Sequence, residues 1–585
     1  MILQALYDYY QRKSADPESN IAPRGFERKE IPFIIVIDAK GLFLNLEDTR
    51  SGEGKQKRAK TFLVVKNRHI TGVKAWTKSN LFWDHYGFVL GQPKDESEKA
   101  IHDAEKQNST FVTQVKNLSE KNPDNAHFRI VYQFYEQKDE IKKVLDHENW
   151  KECYKIPGCN LSFRISGEET IVAEHDDLVN EVKTITGSEN PDQSNVIKSV
   201  CLITGEKAPI AILHSATSIP GGKSGGKLVG FQKNSGYDSY CKEQGMNAPV
   251  SQKAEDAYTT ALNVLLSKDS KNKVRIADTS VVFWAQKQVA FENQFPFFLS
   301  ALDKDNPDRN AMEVKAFFES IHTGKLNTEG DTPFFVLGLA PNAARISIRF
   351  WKAGKVSYFA DNIAKHFEDL DIIRSKNDEK EYFTLFNLLS NLSFEYKVDN
   401  VPLNLAGKVI ECILDGTKYP DSLQQQCIRR IRAEQGITRV RSAILKAYLN
   451  RKNRINSSSE KQITMALDLG NKNQGYLCGR LFAVLEKIQE DAQPGINSTI
   501  KDRYYGAASS TPVTVFGRLL NLSNHHLAKL GGGSKTYYEK LIQEIMIGVD
   551  SNGLPAQLSL DNQSRFAIGY YHQRQDLFSK KEKNN

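Results

Sequence analysis

The chain has 585 residues, a formal net charge of +8, and 40% hydrophobic and 26% charged residues. This length predicts roughly two to four domains, and the composition excludes global disorder. The mild positive charge permits nucleic-acid binding without requiring it. No apolar run reaches the ~18 residues of a membrane span, and the N-terminus lacks the basic start of a signal peptide. Seven scattered cysteines suit a reducing compartment, so we expect a cytoplasmic protein.

The sequence up to about residue 355 predicts both helices and strands. Ile2, Leu6 and Tyr10 share one face of an opening helix. Strand patterns follow at 34–38 and 42–46, which form a hairpin, and at 61–65, 200–204, 210–213, 281–285, 334–339 and 345–351. No convincing strand follows Phe359. We therefore predict an α+β fold, with a mixed domain over 1–355, a basic helical region over 356–460 and a helical bundle over 461–585.

The bundle is predicted from three apolar stripes at helical spacing. The first covers 473–491, the second starts at Thr511-Pro512, and the third runs through Tyr538, Leu541 and Ile545. Glycines 531–533 are expected to end the second helix, with Ser534 capping the next, and a last helix is expected over 563–579. These helices predict an antiparallel bundle with an internal methionine, Met465, near its start.

A glycine-rich segment, Gly221 to Lys227, partly matches a phosphate-binding loop. Gly221, Gly226 and Lys227 have the required spacing, but the residue that should hold magnesium is Leu228. One alternative is a flexible loop that presents Lys223, Ser224 and Lys227 to a nucleic-acid backbone. A plain surface loop fits equally well.

No signature of catalysis or metal binding is complete in the sequence. Cys153 and Cys159 lack a second pair at zinc-site spacing, and Cys201 with His214 is equally isolated. The carboxylates Asp177 and Glu181 share a helix face but have no further ligands for a two-metal site. We therefore expect no catalytic residue, no metal and no cofactor, and we expect that the protein is not an enzyme.

The strongest basic feature is a helical hairpin over 424–454. Two apolar stripes predict an inner face, and the cations are expected on the outer face, opposed only by Glu434. Guanidinium groups at this density match phosphate oxygens. The predicted backbone-binding residues are Arg429, Arg430, Arg432, Arg439, Arg441, Lys446, Arg451, Lys452 and Arg454.

A second basic segment runs from Lys66 to Asn80 and includes Trp76. Lysines and amides on such a loop can enter the minor groove of DNA and read its acceptors, although an ordinary basic surface loop has the same composition. The candidate residues are Lys66, Asn67, Arg68, Lys74, Lys78, Ser79 and Asn80.

Ordered blocks along nearly the whole chain resemble one protein family. They include Phe82-Trp83-Asp84, Tyr258-Thr259-Thr260-Ala261-Leu262, Val281-Val282-Phe283-Trp284-Ala285, Leu339-Ala340-Pro341-Asn342-Ala343-Ala344-Arg345 and Gly479-Arg480-Leu481-Phe482-Ala483. The sequence is similar to the large subunit of the type I-C CRISPR surveillance complex, Cascade.

The resemblance implies a non-catalytic role in an RNA-guided complex. Such a subunit inspects duplex DNA for a short flanking motif (the PAM), promotes unwinding and R-loop formation, and stabilises the displaced strand. Its implied partners are the guide CRISPR RNA, the target DNA, the backbone and 5′-handle subunits, a small subunit and a helicase–nuclease. The C-terminal bundle is similar to the small subunit, and Met465 fits an internal start that would produce it separately.

Residue chemistry places PAM reading in Lys66 to Asn80, with Lys74, Lys78, Ser79 and Asn80 preferred and the loop around Ser224 second. Two other function classes stay open. One is a nucleotide-dependent enzyme built on Gly221 to Lys227, and the other is a nucleic-acid scaffold without motif preference.

Overall fold

The computed structural model describes residues 1–19, 21–52, 57–66, 75–175, 178, 197–222, 226–233, 236, 238, 240–299, 316, 320, 329–343, 345–374, 382–402, 404–457 and 460–582. The fold is α+β, as the sequence predicted. Apart from the first two residues, one compact unit contains 3–215 and 229–262, and the other contains 216–228 and 263–585. No described helix is long and apolar enough to span a membrane.

The first unit is built around a four-stranded sheet. Its strand order is β3-β2-β6-β5, and β2 pairs antiparallel with β3 and parallel with β6. Beside it lies an antiparallel ribbon of β1 and β4. The strands are β1 (Phe26–Glu30), β2 (Phe33–Ile37), β3 (Phe43–Asp48), β4 (Thr61–Val65), β5 (Trp83–His85) and β6 (Asn160–Ile165). The predicted hairpin of β2 and β3 is confirmed.

The helices of the first unit precede, interrupt and follow this sheet. They are α1 (Ile2–Ser14), α2 (Tyr86–Leu90), α3 (Glu98–Lys121), α4 (Ala126–Glu136), α5 (Glu140–Asp146), α6 (Trp150–Tyr154) and α7 (Gln252–Leu266), the last of which extends into the second unit. The strands predicted at 200–204 and 210–213 are wrong by a few residues. A shorter pair, β7 (Lys198–Val200) and β8 (Lys207–Pro209), forms instead, because the turn lies at 201–206.

The second unit contains an antiparallel sheet in the order β12-β11-β10-β9. Its strands are β9 (Lys273–Ile276), β10 (Thr279–Ala285), β11 (Pro333–Asn342) and β12 (Arg345–Lys355), so the last three predicted strands are confirmed. Helices follow: α8 (Ala290–Leu299, before β11), α9 (Val356–Leu370), α10 (Leu385–Ser390), α11 (Leu405–Leu414), α12 (Asp421–Glu434) and α13 (Arg439–Ile455). No strand follows β12 in the described residues, as predicted.

The C-terminal helices are α14 (Gln474–Ala492), α15 (Ile500–Ala508), α16 (Phe516–Leu527), α17 (Gly532–Ile547) and α18 (Leu560–Glu582). The sequence missed α15. The predicted break between α16 and α17 is present at 528–531, but the predicted cap is wrong, because Gly531 is the N-cap of α17 and Ser534 lies inside the helix. Helices α14 and α18 approach so closely that a Cβ at Gly479 would lie 2.0 Å from the Phe566 carbonyl oxygen.

One hydrophobic core contains buried residues of the second unit from Ile276 to Leu577. Phe350 and Phe359 share it across position 355, and Tyr448 and Ile463 share it across position 460. The predicted domain boundaries at these two positions stay predictions. The packing shows that residues on both sides of each boundary bury apolar surface together.

Candidate nucleic-acid interface

The basic hairpin of α12 and α13 has the apolar inner face that the sequence predicted. Leu423, Ile431, Ile444 and Tyr448 are buried in the core of the second unit. The prediction that the cations face outward is wrong for most of them. The side chains that are buried are Arg430, Arg439, Arg441, Lys446 and Arg451.

Glu434 binds two of these arginines. Its carboxylate accepts hydrogen bonds from Arg430 and Arg441, and Arg441 Nη1 also donates to the Gly436 carbonyl oxygen at 2.9 Å. Burial by itself would raise the pKa of Glu434, but the hydrogen bonds from Arg430 and Arg441 lower it. These two guanidinium groups therefore form hydrogen bonds within the fold and cannot reach a phosphate in this conformation.

Asp369, on α9, binds the far end of α13. It accepts from Arg451 Nε at 3.1 Å and from Arg454 Nη2 at 2.7 Å, and its backbone oxygen accepts from Lys446 Nζ at 3.0 Å. Lys452 Nζ lies 2.6 Å from Asp561 Oδ2 on α18. The neutralising acids thus come from distant parts of the chain, which a local charge count could not detect.

Two cations of the hairpin remain exposed. Arg429 is exposed, and exposed Arg432 donates to Gln563 Oε1 at 2.9 Å. Arg439 is buried with its guanidinium carbon 4.6 Å from the centre of the Phe383 ring. Of the residues predicted to bind a nucleic-acid backbone, only Arg429 and Arg432 are therefore exposed.

The segment from Lys66 to Asn80 presents fewer polar groups than predicted. Lys66 Nζ forms an ion pair with Asp256 Oδ1 at 2.8 Å. Ser79 and Asn80 are buried, whereas Lys78 is exposed. Asn67, Arg68 and Lys74 lie outside the described residues.

Asn80 is bonded to a carboxylate of its own loop. Its backbone N–H and its Nδ2 donate to Asp84 Oδ2 at 2.9 and 3.0 Å. Burial raises the pKa of Asp84 to about 6, although the hydrogen bonds from Asn80 and His85 act in the opposite direction. Asn80 is therefore a structural residue in this conformation, and the prediction that it reads base edges is not supported by its position.

The glycine-rich segment lacks the geometry of a phosphate loop. Such a loop leads directly into a helix whose N-terminus holds the phosphate. Lys227 instead forms a parallel bridge with Arg345, and residues 226–233 contain no helix. Lys223 and Ser224 lie outside the described residues.

A basic surface that the sequence analysis missed lies on α15 and α16. Arg503 and Arg518 are exposed, and their guanidinium carbons lie 5.6 and 5.8 Å from the centre of the Tyr504 ring. Tyr504 is half-buried and packs against the core, which fixes the ring. Among the described residues, neither arginine forms an ion pair with a carboxylate.

The same surface continues along α16. His525 is exposed near the C-terminal end of α16, seven positions after Arg518, and exposed Lys529 follows the helix. Desolvation lowers the pKa of neighbouring His526, and the positive charge of Lys529 and His525 lowers it further. We call Arg503, Tyr504, Arg518, His525 and Lys529 the bundle patch. Exposed cations around an anchored aromatic ring are the elements that bind single-stranded nucleic acid.

A family model described as CRISPR-associated protein (Cas_Csd1) matches residues 6–578. The chain belongs to the Cas_Csd1 family. The comparison with curated proteins found no match. The match covers nearly all of both compact units and includes the complete bundle patch, and membership of the Cas_Csd1 family indicates a CRISPR-associated function.

Met465 of this Cas_Csd1 chain lies between α13 and α14 and is half exposed. Its carbonyl oxygen accepts a hydrogen bond from Ile373 N at 2.9 Å. A product starting there would contain all of α14 to α18. It would also lose α13, which packs against α18.

Proposed function

We propose that this chain is the large subunit of a type I-C Cascade complex. The family match over 6–578 is the observation that carries this proposal. The ordered sequence blocks that resemble this subunit support the assignment to type I-C. In this role the chain works with a guide CRISPR RNA, backbone and 5′-handle subunits, a small subunit and a helicase–nuclease, and has no catalytic step of its own.

Within this role, the bundle patch would hold the displaced DNA strand. A displaced strand offers phosphates and unstacked bases, which Arg503, Arg518 and the ring of Tyr504 can bind together. The arginines of α12 and α13 cannot bind the displaced strand equally well, because most of them already bind Glu434 or Asp369.

Duplex inspection would fall to the first unit. Its ribbon of β1 and β4 carries exposed Arg28, and exposed Lys57, Arg58 and Lys60 precede β4. A two-stranded ribbon fits a DNA groove, and Lys78 adds a further accessible cation after β4. PAM reading within Lys66 to Asn80 remains part of the proposal through Lys78 and the residues that the structure does not describe.

The experiment is assembly followed by target competition. The chain is co-expressed with a guide RNA and the remaining Cascade subunits, and the purified complex is offered duplexes that share a target but differ in the flanking motif. Co-purification in a defined ratio and a preference for particular flanks would support the proposal. A chain that stays out of the complex, or a complex indifferent to the flank, would contradict it.

Two measurements, one on the isolated chain and one on the complex, separate the two alternatives. A nucleotide-dependent enzyme would hydrolyse ATP as an isolated chain, and the geometry after Lys227 argues against this. A scaffold without motif preference would bind all duplexes equally.

A further inference from the structure

Three potential metal ligands from separate segments meet at the edge of the first unit. His127 is the second residue of α4, Glu168 lies in the turn after β6, and His175 directly follows a short 3-10 helix, Val172–Glu174. Their ligand atoms all lie within 4.8 Å of one another. The sequence gives no local motif for this group, because its members are not close together along the chain.

The backbone of each ligand is fixed by the core. Asn125 caps α4 by accepting from Phe128 N at 3.1 Å, and Phe128 is buried. Glu168 N donates to the Ile165 carbonyl oxygen at 3.1 Å in a turn that Gly167 closes with φ of 92°. Buried Val172 and Ala173 anchor the segment before His175. The three side chains are half-buried, so an ion from solvent can reach them.

We propose that His127, Glu168 and His175 bind one divalent transition-metal ion, with Zn²⁺ the best match. His127 Nε2 lies 3.0 Å from Glu168 Oε1. Two ligand atoms of a tetrahedral zinc ion are separated by roughly 3.3 Å, given bonds of about 2.0–2.1 Å. This pair therefore already has nearly the spacing that an ion requires.

His175 completes the site by a rotation of its side chain. Its ring lies 3.7 Å from the ring of His127 at an angle of 34°. Two imidazoles on one tetrahedral ion stand farther apart than this, so binding replaces the stacked arrangement with two bonds to the metal. His175 is half-buried, so part of its side chain is in contact with solvent.

The donor set selects the class of metal. Two imidazoles and one carboxylate suit zinc and similar first-row ions, whereas magnesium and calcium prefer oxygen donors throughout. Three protein ligands leave one position for water. The bound ion would join α4, the turn after β6 and the segment that ends at His175, and would thus stabilise this edge of the first unit. This inference does not depend on the proposed function.

Zinc binding by the full-length chain tests the proposal. Chelator-treated protein is titrated with ZnCl₂, and bound metal is measured by elemental analysis after desalting. We expect about one zinc per chain and an increase in Tm. The double variant His127→Asn/His175→Asn should lose both effects, and Glu168→Gln should weaken binding about 10-fold or more.

A matched control is His102→Asn. His102 and Glu105 form an exposed histidine–glutamate pair with Nδ1 and Oε2 3.8 Å apart and no third ligand among the described residues. This variant should bind zinc like the wild type. Replacing Zn²⁺ by Co²⁺ in the wild-type protein gives a second test, because a tetrahedral nitrogen–oxygen site produces intense visible absorption.

Two results would overturn the proposal. One is wild-type protein that takes up no zinc and shows only the weak absorption of hydrated cobalt. The other is a folded double variant that still binds one zinc per chain with wild-type affinity.

Discussion

Arg451 and Asp369 form an ion pair inside the second unit, with side chains 0% and 4% exposed and Nε 3.1 Å from Oδ2. The guanidinium carbon of Arg451 also lies 4.4 Å from the centre of the Tyr419 ring. The charge of Arg451 is thus balanced within the fold. Its position explains why a dense row of cations on α13 does not make a basic surface.

The Asp369→Ala variant should be less stable than the wild type. Asp369→Ala leaves the Arg451 guanidinium buried without its carboxylate, and breaking a buried pair costs about 3–5 kcal/mol of unfolding free energy. Urea unfolding followed by circular dichroism measures this. Arg432→Ala, at an exposed site on the same hairpin, should stay within about 0.5 kcal/mol of the wild type. Equal midpoints for the wild type and Asp369→Ala would refute the structural role.

Alanine substitutions at Asn80 and at Lys78 should have different effects on stability and on DNA binding. Asn80→Ala removes a hydrogen bond to buried Asp84 and should cost about 1–3 kcal/mol of stability without changing flank preference. Lys78→Ala should leave stability unchanged and weaken duplex binding with a shallower salt dependence. Thermal unfolding and duplex titration on both variants separate the two roles. A stable Asn80→Ala protein with relaxed flank choice would restore the base-reading prediction and count against this assignment.

The second unit should lose stability in mild acid. Burial, and then the charge of Lys446, lowers the pKa of His572 to about 3, although Asp468 acts in the opposite direction. Burial, and then the charge of Arg451, also lowers the pKa of His366 well below its usual value. Because both folded-state pKa values lie below the ~6.5 of an unfolded histidine, the unfolded chain takes up protons first and stability falls below about pH 6.5.

His572 alone should account for about 2 kcal/mol of this loss by pH 5. His572→Gln keeps a polar group near the Tyr476 hydroxyl, which lies 3.0 Å from His572 Nδ1, but removes the titration. Its unfolding free energy should therefore vary less between pH 7 and pH 5. Exposed His525→Gln is the control and should keep the wild-type pH dependence. A variant that tracks the wild type at every pH would show that His572 carries no such linkage.

Met465→Leu should abolish a short C-terminal product if translation starts internally at this position. The side chain is half exposed and outside every helix, so the full-length protein should keep its stability. Expression with a C-terminal tag, followed by immunoblotting, detects both products. Met546→Leu, which lies near the end of α17, serves as the control. Persistence of the short product in Met465→Leu would exclude this start.

The sequence predicted the features of the fold that depend on local patterns. Short apolar runs identified β10 and β11, and helical spacing identified α14, because the side chains that define these patterns enter the core. The break before α17 was predicted, but its cap was assigned to Ser534, because nothing local shows that Gly531 is the N-cap.

The candidate interface was predicted less well, because accessibility is a tertiary property. Arg441 is held inside the fold by Glu434. Arg454 is paired with Asp369, which is far away in the chain. Arg503 and Arg518 gave no signal, since neither lies in a dense basic run and only the fold brings Arg518 to the Tyr504 ring that Arg503 precedes in the sequence. His127 and His175 likewise gave no signal, because they lie far apart in the chain and only the fold brings them together.

The most direct test of whether the bundle patch binds the displaced strand is the affinity for single-stranded DNA, measured as a function of salt concentration. We compare the wild type, Arg503→Ala/Arg518→Ala and the charge-matched control Lys138→Ala/Lys142→Ala, which removes two exposed lysines of the first unit. Two lost phosphate contacts should make the slope of log K against log salt shallower by about 1.4, with the control unchanged. An arginine variant that keeps the wild-type slope and affinity would contradict the account.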